Sequence, residues 1–345
     1  MSSFAVEIPA VDGYPLGGHV WYPESLPALG VVLVHPATAV PERLYFAFAQ
    51  YIARRGLIAV TYSYRGVDGS RPPRLRGFRA RMRDWADLDV EGVTRWATSA
   101  YPSLPCYAVG HSFGGHAIGL CESSNRLVAA VQVASHVGAM RVVSHRPERR
   151  RITLLMHWIA PLLTRLAGYM PGSKLGIGED LPAGVLLEWS RWTRLPNYFF
   201  DDPTLDADAR FARVRTPILS LGFDDDLWAT PMGIALLVSR LRNAPVTRRE
   251  IAAVRSDSGS IGHMGYFRQR SGGFLWPETI DWLLSAGSAQ TWAGSPHSGM
   301  PGTSWSSTSA DLAAAMRSAA TMQSPRSDQT ECQNANRPPP LPSPP

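Results

Sequence analysis

Three short segments, far apart in the sequence, carry residues that together could perform nucleophilic catalysis on an acyl carbonyl. The first is GHSFGG at residues 110–115, which contains Ser112. The second is the aspartate run at residues 224–226, and the third is the GHMG segment that contains His263. A serine hydroxyl is a weak nucleophile until a histidine accepts its proton, and that histidine needs an acid to orient it. In this chain the serine comes first, the aspartates second and the histidine last, an order known for triads whose serine stands on a sharp turn between a strand and a helix.

The segment around Ser112 has the glycine pattern of a sharp turn from a strand into a helix. An apolar run, CYAVGH, precedes the serine, and a helix-like run, FGGHAIGL, follows it. Such a turn exposes the serine hydroxyl, and glycines at Gly110, Gly114 and Gly115 allow the close backbone approach that the turn demands. Because the pattern stands between a strand and a helix, it predicts Ser112 as the nucleophile.

The acid is expected where a later strand ends, and the sequence LGFDDD offers three candidates. In the usual arrangement the acid stands three residues after the glycine that closes the strand, which from Gly222 selects Asp225. Successive residues of a strand point to opposite sides, so Asp224 and Asp226 are expected to point away from the histidine if the strand register continues. A bulge after Gly222 would present Asp226 instead. We therefore predict a triad of Ser112, Asp225 and His263, with Asp226 as the alternative acid.

An oxyanion hole requires two backbone N–H groups directed at the developing negative charge. Phe113 follows the nucleophile at a helix N-terminus and supplies one of them, since the helix dipole also favours an anion there. The second is expected from the loop after VVLVH, where His35 is followed by Pro36. Proline has no N–H, so Ala37 is the predicted donor and Thr38 the fallback.

The elements that must position these residues are read from hydrophobic runs. Nearly continuous apolar strands are predicted at residues 30–36, 57–64, 106–112 and 127–135, and helix-like segments lie between them. This alternation is typical of a doubly wound, mostly parallel α/β sheet covered on both faces. A further strand is predicted from Thr216, a last strand at 246–253 and a closing amphipathic helix at 273–285.

The chain is predicted to contain a core, an insertion and a tail. We assign residues 1–135 and 214–287 to the α/β core, and the Arg- and Trp-rich residues 136–213 to a helical cap inserted into it. Residues 288–345 are rich in Ser, Ala and Pro, and we predict a disordered tail, with a short helix around 311–320 and an inert PPPLP segment.

Composition sets limits on compartment and partners. The three cysteines form no CxxC or Cys/His cluster, so neither a disulfide framework nor a zinc site is indicated, and a reducing cytoplasm fits best.

The N-terminus does not have the pattern of a secretory signal, and the longest apolar stretch, 152–170, is too interrupted to span a membrane. Lys174 is the only lysine among 34 basic residues, so the net charge of +6 reflects arginine usage more than a nucleic-acid footprint. No cofactor and no nucleic-acid partner are expected.

Several motifs resemble the α/β-hydrolase superfamily, and more closely a bacterial branch of predicted serine α/β-hydrolases without assigned substrate. The likeness covers roughly residues 4–284 and rests on segments that include HPATAVPERLY, VGHSFGGHAIGL, LGIGEDLPAGVLLEWSRWTR, LGFDDDLWATP and IGHMGYFR. The resemblance implies the α/β-hydrolase fold and a triad on Ser112, on Asp225 or Asp226, and on His263. The departure is at His35–Pro36, where the family usually has His-Gly.

The predicted function is hydrolysis of a carboxylic ester, thioester or amide through an acyl-enzyme, with a small-molecule acyl substrate. An acyltransferase would use the same residues with a different acceptor, and a binding module with a vestigial triad is the alternative from another class. Haloalkane dehalogenases and epoxide hydrolases are disfavoured because they need an aspartate at position 112. Two groups of residues are candidates for substrate contacts. Segments 178–182 and 188–192 could line the acyl pocket, and the arginines within 74–83 and 146–151 could hold an anionic substrate such as a coenzyme-linked acyl group.

Overall fold

The computed structural model describes residues 2–25, 27–255 and 259–293, and within them ten strands and eleven α-helical segments. The strands are β1 (Ser2–Pro9), β2 (Pro15–Tyr22), β3 (Val31–His35), β4 (Ile58–Tyr62), β5 (Cys106–His111), β6 (Ala129–Val133), β7 (Tyr169–Met170), β8 (Leu181–Pro182), β9 (Ile218–Phe223) and β10 (Val246–Ile251). The α-helices are α1 (Phe46–Arg54), α2 (Met82–Asp84), α3 (Glu91–Ala100), α4 (Phe113–Leu120), α5 (Arg146–Leu154), α6 (Ala160–Ala167), α7 (Ala183–Arg194), α8 (Ala207–Arg213), α9 (Pro231–Val238), α10 (Gly262–Gly265) and α11 (Gln269–Ala293).

Eight of the strands form one sheet in the order β1-β2-β4-β3-β5-β6-β9-β10. Within this sheet β4, β3, β5, β6, β9 and β10 pair in parallel with their neighbours. β1 and β2 pair antiparallel with each other, and β2 pairs antiparallel with β4. The prediction of a doubly wound, mostly parallel sheet is confirmed. β1 and β2 were not predicted, because β1 is largely exposed and β2 contains two glycines.

Both faces of the sheet are covered, as the unbroken apolar runs of its central strands require. In β5, Cys106 and Ala108 pack in one hydrophobic cluster, whereas Tyr107 and Val109 pack in the other, because successive side chains of a strand point to opposite faces. The first cluster includes α3 and α4, and the second includes α1 and α11. The carboxyl ends of β3, β5 and β9 therefore share one edge of a rigid sheet.

The segment between β6 and β9 is the predicted cap. It contains α5 to α8 and the two-stranded antiparallel pair β7–β8. α5 and α6 are joined by a π-helical segment, Leu155–Ile159, so that one helical stretch runs from residue 146 to 167. No helix of the described residues is long and apolar enough to cross a membrane.

The C-terminal boundary differs from the prediction. The closing helix α11 runs from Gln269 to Ala293, so the segment predicted as a tail from residue 288 begins inside a helix. The rest of that tail, with the predicted helix at 311–320, the PPPLP segment and Cys332, lies outside the described residues. The other two cysteines, Cys106 and Cys121, are buried free thiols.

Candidate active site

Ser112 occupies a strained turn between β5 and α4. Its backbone has φ of 50° and ψ of −110°, and residues other than glycine rarely adopt a positive φ. The turn is held by the Ser112 N–H, which donates to the Val133 carbonyl at 2.8 Å, and by the Ser135 hydroxyl, which donates to the Ser112 carbonyl at 2.8 Å. Strained backbone of this kind persists only where its surroundings fix it, and here they aim the hydroxyl at the loop that carries His263.

Two glycines beside Ser112 are required by close backbone packing, as predicted. A Cβ atom at Gly114 would lie 2.2 Å from the His35 carbonyl oxygen, and one at Gly110 would lie 2.5 Å from the backbone of Gly114. Helix α4 can therefore approach β3 and β5 only without side chains at these positions.

His263 bridges the serine and an aspartate. Its Nε2 lies 3.1 Å from the Ser112 Oγ, and its Nδ1 lies 2.7 Å from an oxygen of Asp226. An ionised carboxylate only accepts hydrogen bonds, so Nδ1 carries the proton and Nε2 is left to accept from the serine hydroxyl. This tautomer is the one a general base needs in order to take the serine proton.

The prediction that Asp225 contacts His263 is wrong, and Asp226 occupies that place. β9 ends at Phe223, and the Asp226 N–H donates to the Phe223 carbonyl at 3.1 Å, so the chain turns immediately after the strand. The alternation of a strand no longer applies in a turn, and the third aspartate points at the imidazole.

Asp225 instead holds the loop before His263. Its carboxylate accepts hydrogen bonds from the backbone N–H groups of Ile261 and Gly262, at 2.9 and 2.8 Å, and from the Ser260 hydroxyl at 2.9 Å. Asp224 also binds backbone, accepting from the Ala253 N–H at 2.7 Å. The three aspartates thus have three different partners, and only Asp226 reaches the histidine.

The environment of Asp226 keeps it ionised. Burial alone would raise the pKa of this carboxyl, but the nearby His263 and the hydrogen bonds that the carboxylate accepts lower its pKa to about 2. The second oxygen of Asp226 accepts from the N–H groups of Trp228 and Ala229, at 2.8 and 3.0 Å. A buried, ionised and fully hydrogen-bonded carboxylate is suited to stabilise an imidazolium.

The loop after β3 corrects the prediction for the second oxyanion donor. The Ala37 N–H, predicted as that donor, donates at 2.8 Å to the buried hydroxyl of Tyr45. It is therefore already occupied. Among the hydrogen bonds of the described residues, no acceptor is found for the N–H groups of Thr38 and Phe113, and both residues line the cavity above Ser112. Thr38, the predicted fallback, replaces Ala37 as the candidate donor beside Phe113.

A buried hydrogen-bond chain, which sequence analysis missed, connects this loop with the histidine loop. The His111 Nε2 lies 2.8 Å from the His263 carbonyl, and because a carbonyl only accepts, this nitrogen carries the proton. Its Nδ1 then accepts from the Tyr45 hydroxyl at 3.0 Å, whose oxygen accepts from Ala37. Burial, with a smaller contribution from nearby His263, lowers the pKa of His111 to about 3, so it is neutral at pH 7. His111 and Tyr45 position backbone on either side of Ser112, and the sequence holds no signal for this pairing.

A cavity of about 500 Å³ lies above Ser112 and His263, enclosed mainly by apolar side chains. Its walls are formed by the loop after β3 and by the cap. The cap residues in the wall include Met140, Ile152, Met156, Leu186 and Trp189. His136 also lines it, with its ring centroid 5.7 Å from that of His263, and burial lowers the pKa of His136 to about 4. The cavity has the volume and the mostly apolar lining of a small-molecule site.

Some of the other residues predicted to contact substrate line the cavity, and others form buried ion pairs elsewhere. Gly178, Glu179, Leu181 and Trp189 line the cavity. Arg83, in contrast, is buried and ion-paired with Glu188 and Asp202, at 2.7 and 2.8 Å. Of the arginines proposed to hold an anionic substrate, Arg151 is the one at the cavity wall, and it pairs with Glu148 at 2.6 Å. Among residues 2–25, 27–255 and 259–293, no group of three His, Cys, Asp or Glu side chains is placed to hold a metal ion.

Comparison with known proteins agrees with this architecture. A model described as "Alpha/beta hydrolase family" matches residues 31–269, which is more than half of the chain. No curated protein sequence matches.

Solved structures show the same fold at low sequence identity. A soluble variant of the monoglyceride lipase from Saccharomyces cerevisiae, in complex with a substrate analog, has a TM-score of 0.59 at 14% identity, covering 82% of this chain and 96% of that one. The α/β-hydrolase GrgF from Penicillium sp. sh18 has a TM-score of 0.53 at 17% identity, covering 84% and 100%. An esterase from Pyrococcus furiosus has a TM-score of 0.54 at 13% identity, covering 82% and 91%. At these identities the likeness concerns the fold.

Proposed function

The chain belongs to the alpha/beta hydrolase family, and on that premise we propose that it is a serine hydrolase that cleaves a carboxylic ester, thioester or amide of an apolar acyl group. The observation that carries the proposal is the continuous arrangement of Asp226, His263 and Ser112, with contacts of 2.7 and 3.1 Å. It has the order of partners and the tautomer that acyl transfer requires.

The reaction begins when the Ser112 Oγ attacks the acyl carbonyl carbon while its proton passes to the His263 Nε2. The carbonyl oxygen gains the negative charge and is stabilised by the N–H groups of Phe113 and Thr38. When the carbonyl forms again, the bond to the leaving group breaks, and the leaving group takes the proton from His263. Water then attacks the acyl-enzyme by the same route, which releases the acid and restores Ser112.

The substrate class is inferred from the cavity. Its apolar wall above Ser112 would bury a hydrocarbon acyl group and release ordered water, which contributes about 0.8 kcal/mol per buried CH₂. The same wall limits the water around the reacting carbonyl, so the hydrogen bonds to the oxyanion act in a low dielectric.

The test is labelling with a fluorophosphonate probe, followed by mass spectrometry to find the modified residue. We expect one adduct, on Ser112, and its loss in Ser112→Ala with the circular dichroism spectrum unchanged. Ser239→Ala, which removes an exposed hydroxyl that follows α9 and donates to the Leu236 carbonyl, is the matched control and should keep full labelling. Folded protein without an adduct on Ser112 would favour the binding-module interpretation.

Unlabelled protein should next be assayed on nitrophenyl esters of increasing acyl length. We expect medium-chain esters to be hydrolysed faster than acetate. In Met140→Trp the preferred acyl chain should be shorter, because the larger side chain fills part of the cavity. Acyl-enzyme formation without turnover, relieved by an added alcohol, would identify an acyltransferase instead.

A further inference from the structure

The outer face of the cap carries a stripe of exposed apolar side chains. Leu154, Trp158, Leu162 and Leu166 are 55%, 66%, 58% and 70% exposed, and we call these four the cap stripe. They are four residues apart, so they lie along one side of the helical stretch 146–167. The π-helical segment at Leu155–Ile159 turns less per residue than an α-helix, which keeps residues at this spacing in line.

The stripe is unusual within this protein. Of the thirteen large hydrophobic side chains that are exposed among the described residues, seven lie between residues 154 and 177. The other six are scattered, as single exposed apolar residues normally are. A concentrated exposed patch of this kind marks an interaction surface.

Basic residues lie beside the cap stripe, and the segment that contains it has no acidic residue. Residues 149–178 contain no Asp or Glu but five basic residues, against a net charge of +6 for the whole chain. Arg149 and Arg150 share a surface groove with Leu154 and Trp158. The Arg194 guanidinium, from α7, lies over the Trp158 ring at 5.8 Å from its centroid. Apolar residues with tryptophan, bordered by arginines, are the pattern of a helix that lies in a lipid–water interface.

The charge decides between a bilayer and a second copy of the chain. In a twofold dimer the stripe would face its own copy, and the same cations would meet across the contact. An anionic bilayer offers negative charge over its whole surface and an apolar layer beneath it, which matches both features. We propose that the cap stripe docks the protein peripherally on an anionic phospholipid bilayer.

The same helix connects the two faces of the cap. Ile152, Met156 and Ala160, which alternate with the stripe, are buried and line the cavity above Ser112. Docking would therefore place the inner wall of the cavity one helix diameter from the lipid. The docking step does not depend on Ser112 acting as a nucleophile, so the two proposals can fail separately.

The experiment is co-sedimentation of the full chain with vesicles of phosphatidylcholine alone or mixed with phosphatidylglycerol. We expect binding to the mixed vesicles, weakened by added salt because exposed charges are screened within a Debye length of about 10 Å at 0.1 M salt. Trp158→Ser or Leu162→Ser should each weaken partitioning about tenfold. Arg150→Gln should weaken it about fivefold, and only on the anionic vesicles.

Two control variants separate binding through the cap stripe from nonspecific binding and from catalysis. Met232→Ser, which removes an apolar side chain that is 61% exposed outside the cap, should bind like the parent chain. Ser112→Ala should also bind like the parent, whatever its activity. Equal loss in Met232→Ser and Trp158→Ser, or no preference for anionic vesicles, would overturn the proposal. So would a dimer in analytical ultracentrifugation that Leu162→Ser dissociates, since the stripe would then be an interface between copies.

Discussion

The turn at Ser112 and the turn at the three aspartates both follow parallel strands at one edge of the sheet, but different forces fix them. At Ser112 the backbone of α4 packs against β3 and β5 so closely that two positions have no room for a Cβ atom. At residues 224–226 each carboxylate accepts hydrogen bonds from a different group. Close backbone contact shapes the first turn, together with two hydrogen bonds made by the backbone of Ser112, whereas hydrogen bonds accepted by three carboxylates fix the second. Substitutions should therefore damage the first through folding and the second through catalysis.

The largest effect is expected at Asp226. In Asp226→Asn the amide can donate to the His263 Nδ1 or leave it unpaired, and the imidazole then loses the tautomer that accepts the serine proton. We expect kcat for ester hydrolysis to fall by up to about 10⁴-fold, as it does when the aspartate of a serine-protease triad is replaced by asparagine. The melting temperature should change little, and fluorophosphonate labelling should slow in parallel with kcat. Normal activity in Asp226→Asn would remove this residue from the triad.

The opposite pattern is expected at Gly114. In Gly114→Ala the new methyl group would lie 2.2 Å from the His35 carbonyl oxygen, so α4 or β3 must move. We expect a loss of about 3 kcal/mol in the free energy of unfolding, as for overpacked sites. Urea titration measures it.

Gly273→Ala in α11 is the matched control, since nothing lies within 4 Å of its Cβ position. It should stabilise the helix by about 0.8 kcal/mol. Equal stability of the two variants would show that backbone contact does not fix the turn at Ser112.

These two regions also show what could be predicted from the sequence. The residues of the turn at Ser112 were predicted because the steric demand appears directly as glycines between a strand and a helix. The choice between Asp225 and Asp226 was predicted wrongly, because it depends on where β9 ends and on which N–H groups the distant loop at 260–262 presents. Ala37 was misjudged for the same reason, since its partner Tyr45 comes from a different element. Contacts between loops leave little trace in one sequence, whereas the apolar runs predicted the central strands within a few residues.

His111 precedes the turn at Ser112 and hydrogen-bonds the backbone of His263, and its titration gives a third test. Burial lowers its pKa to about 3, below the ordinary value of 6.5. Between these values the unfolded chain binds a proton that the folded chain does not, so the contribution of His111 to stability is present above pH 6.5 and is lost as the pH falls. The loss between pH 7.5 and 5 should be about 2 kcal/mol. Urea unfolding of the parent and of His111→Gln at both values should show that the parent loses this much more than the variant. A constant difference would mean that folding does not lower the pKa of His111.

The smallest effect separates the neighbouring aspartates. Asp225 does not contact the His263 side chain. Its carboxylate accepts hydrogen bonds from the N–H groups of Ile261 and Gly262, and so fixes the loop that carries the histidine. In Asp225→Asn one of the two carboxylate oxygens becomes an NH₂ group, which cannot accept from a backbone N–H, so at least one of these bonds is lost. We expect a tenfold fall in kcat at most, because a hydrogen bond to a charged group contributes about 1.5 to 3 kcal/mol and part of it is regained by loop movement. Steady-state kinetics on Asp225→Asn and Asp226→Asn, side by side with the parent, measures the difference. If Asp225→Asn lowers kcat by the larger factor, Asp225 orients the histidine and the assignment of the acid must be reversed.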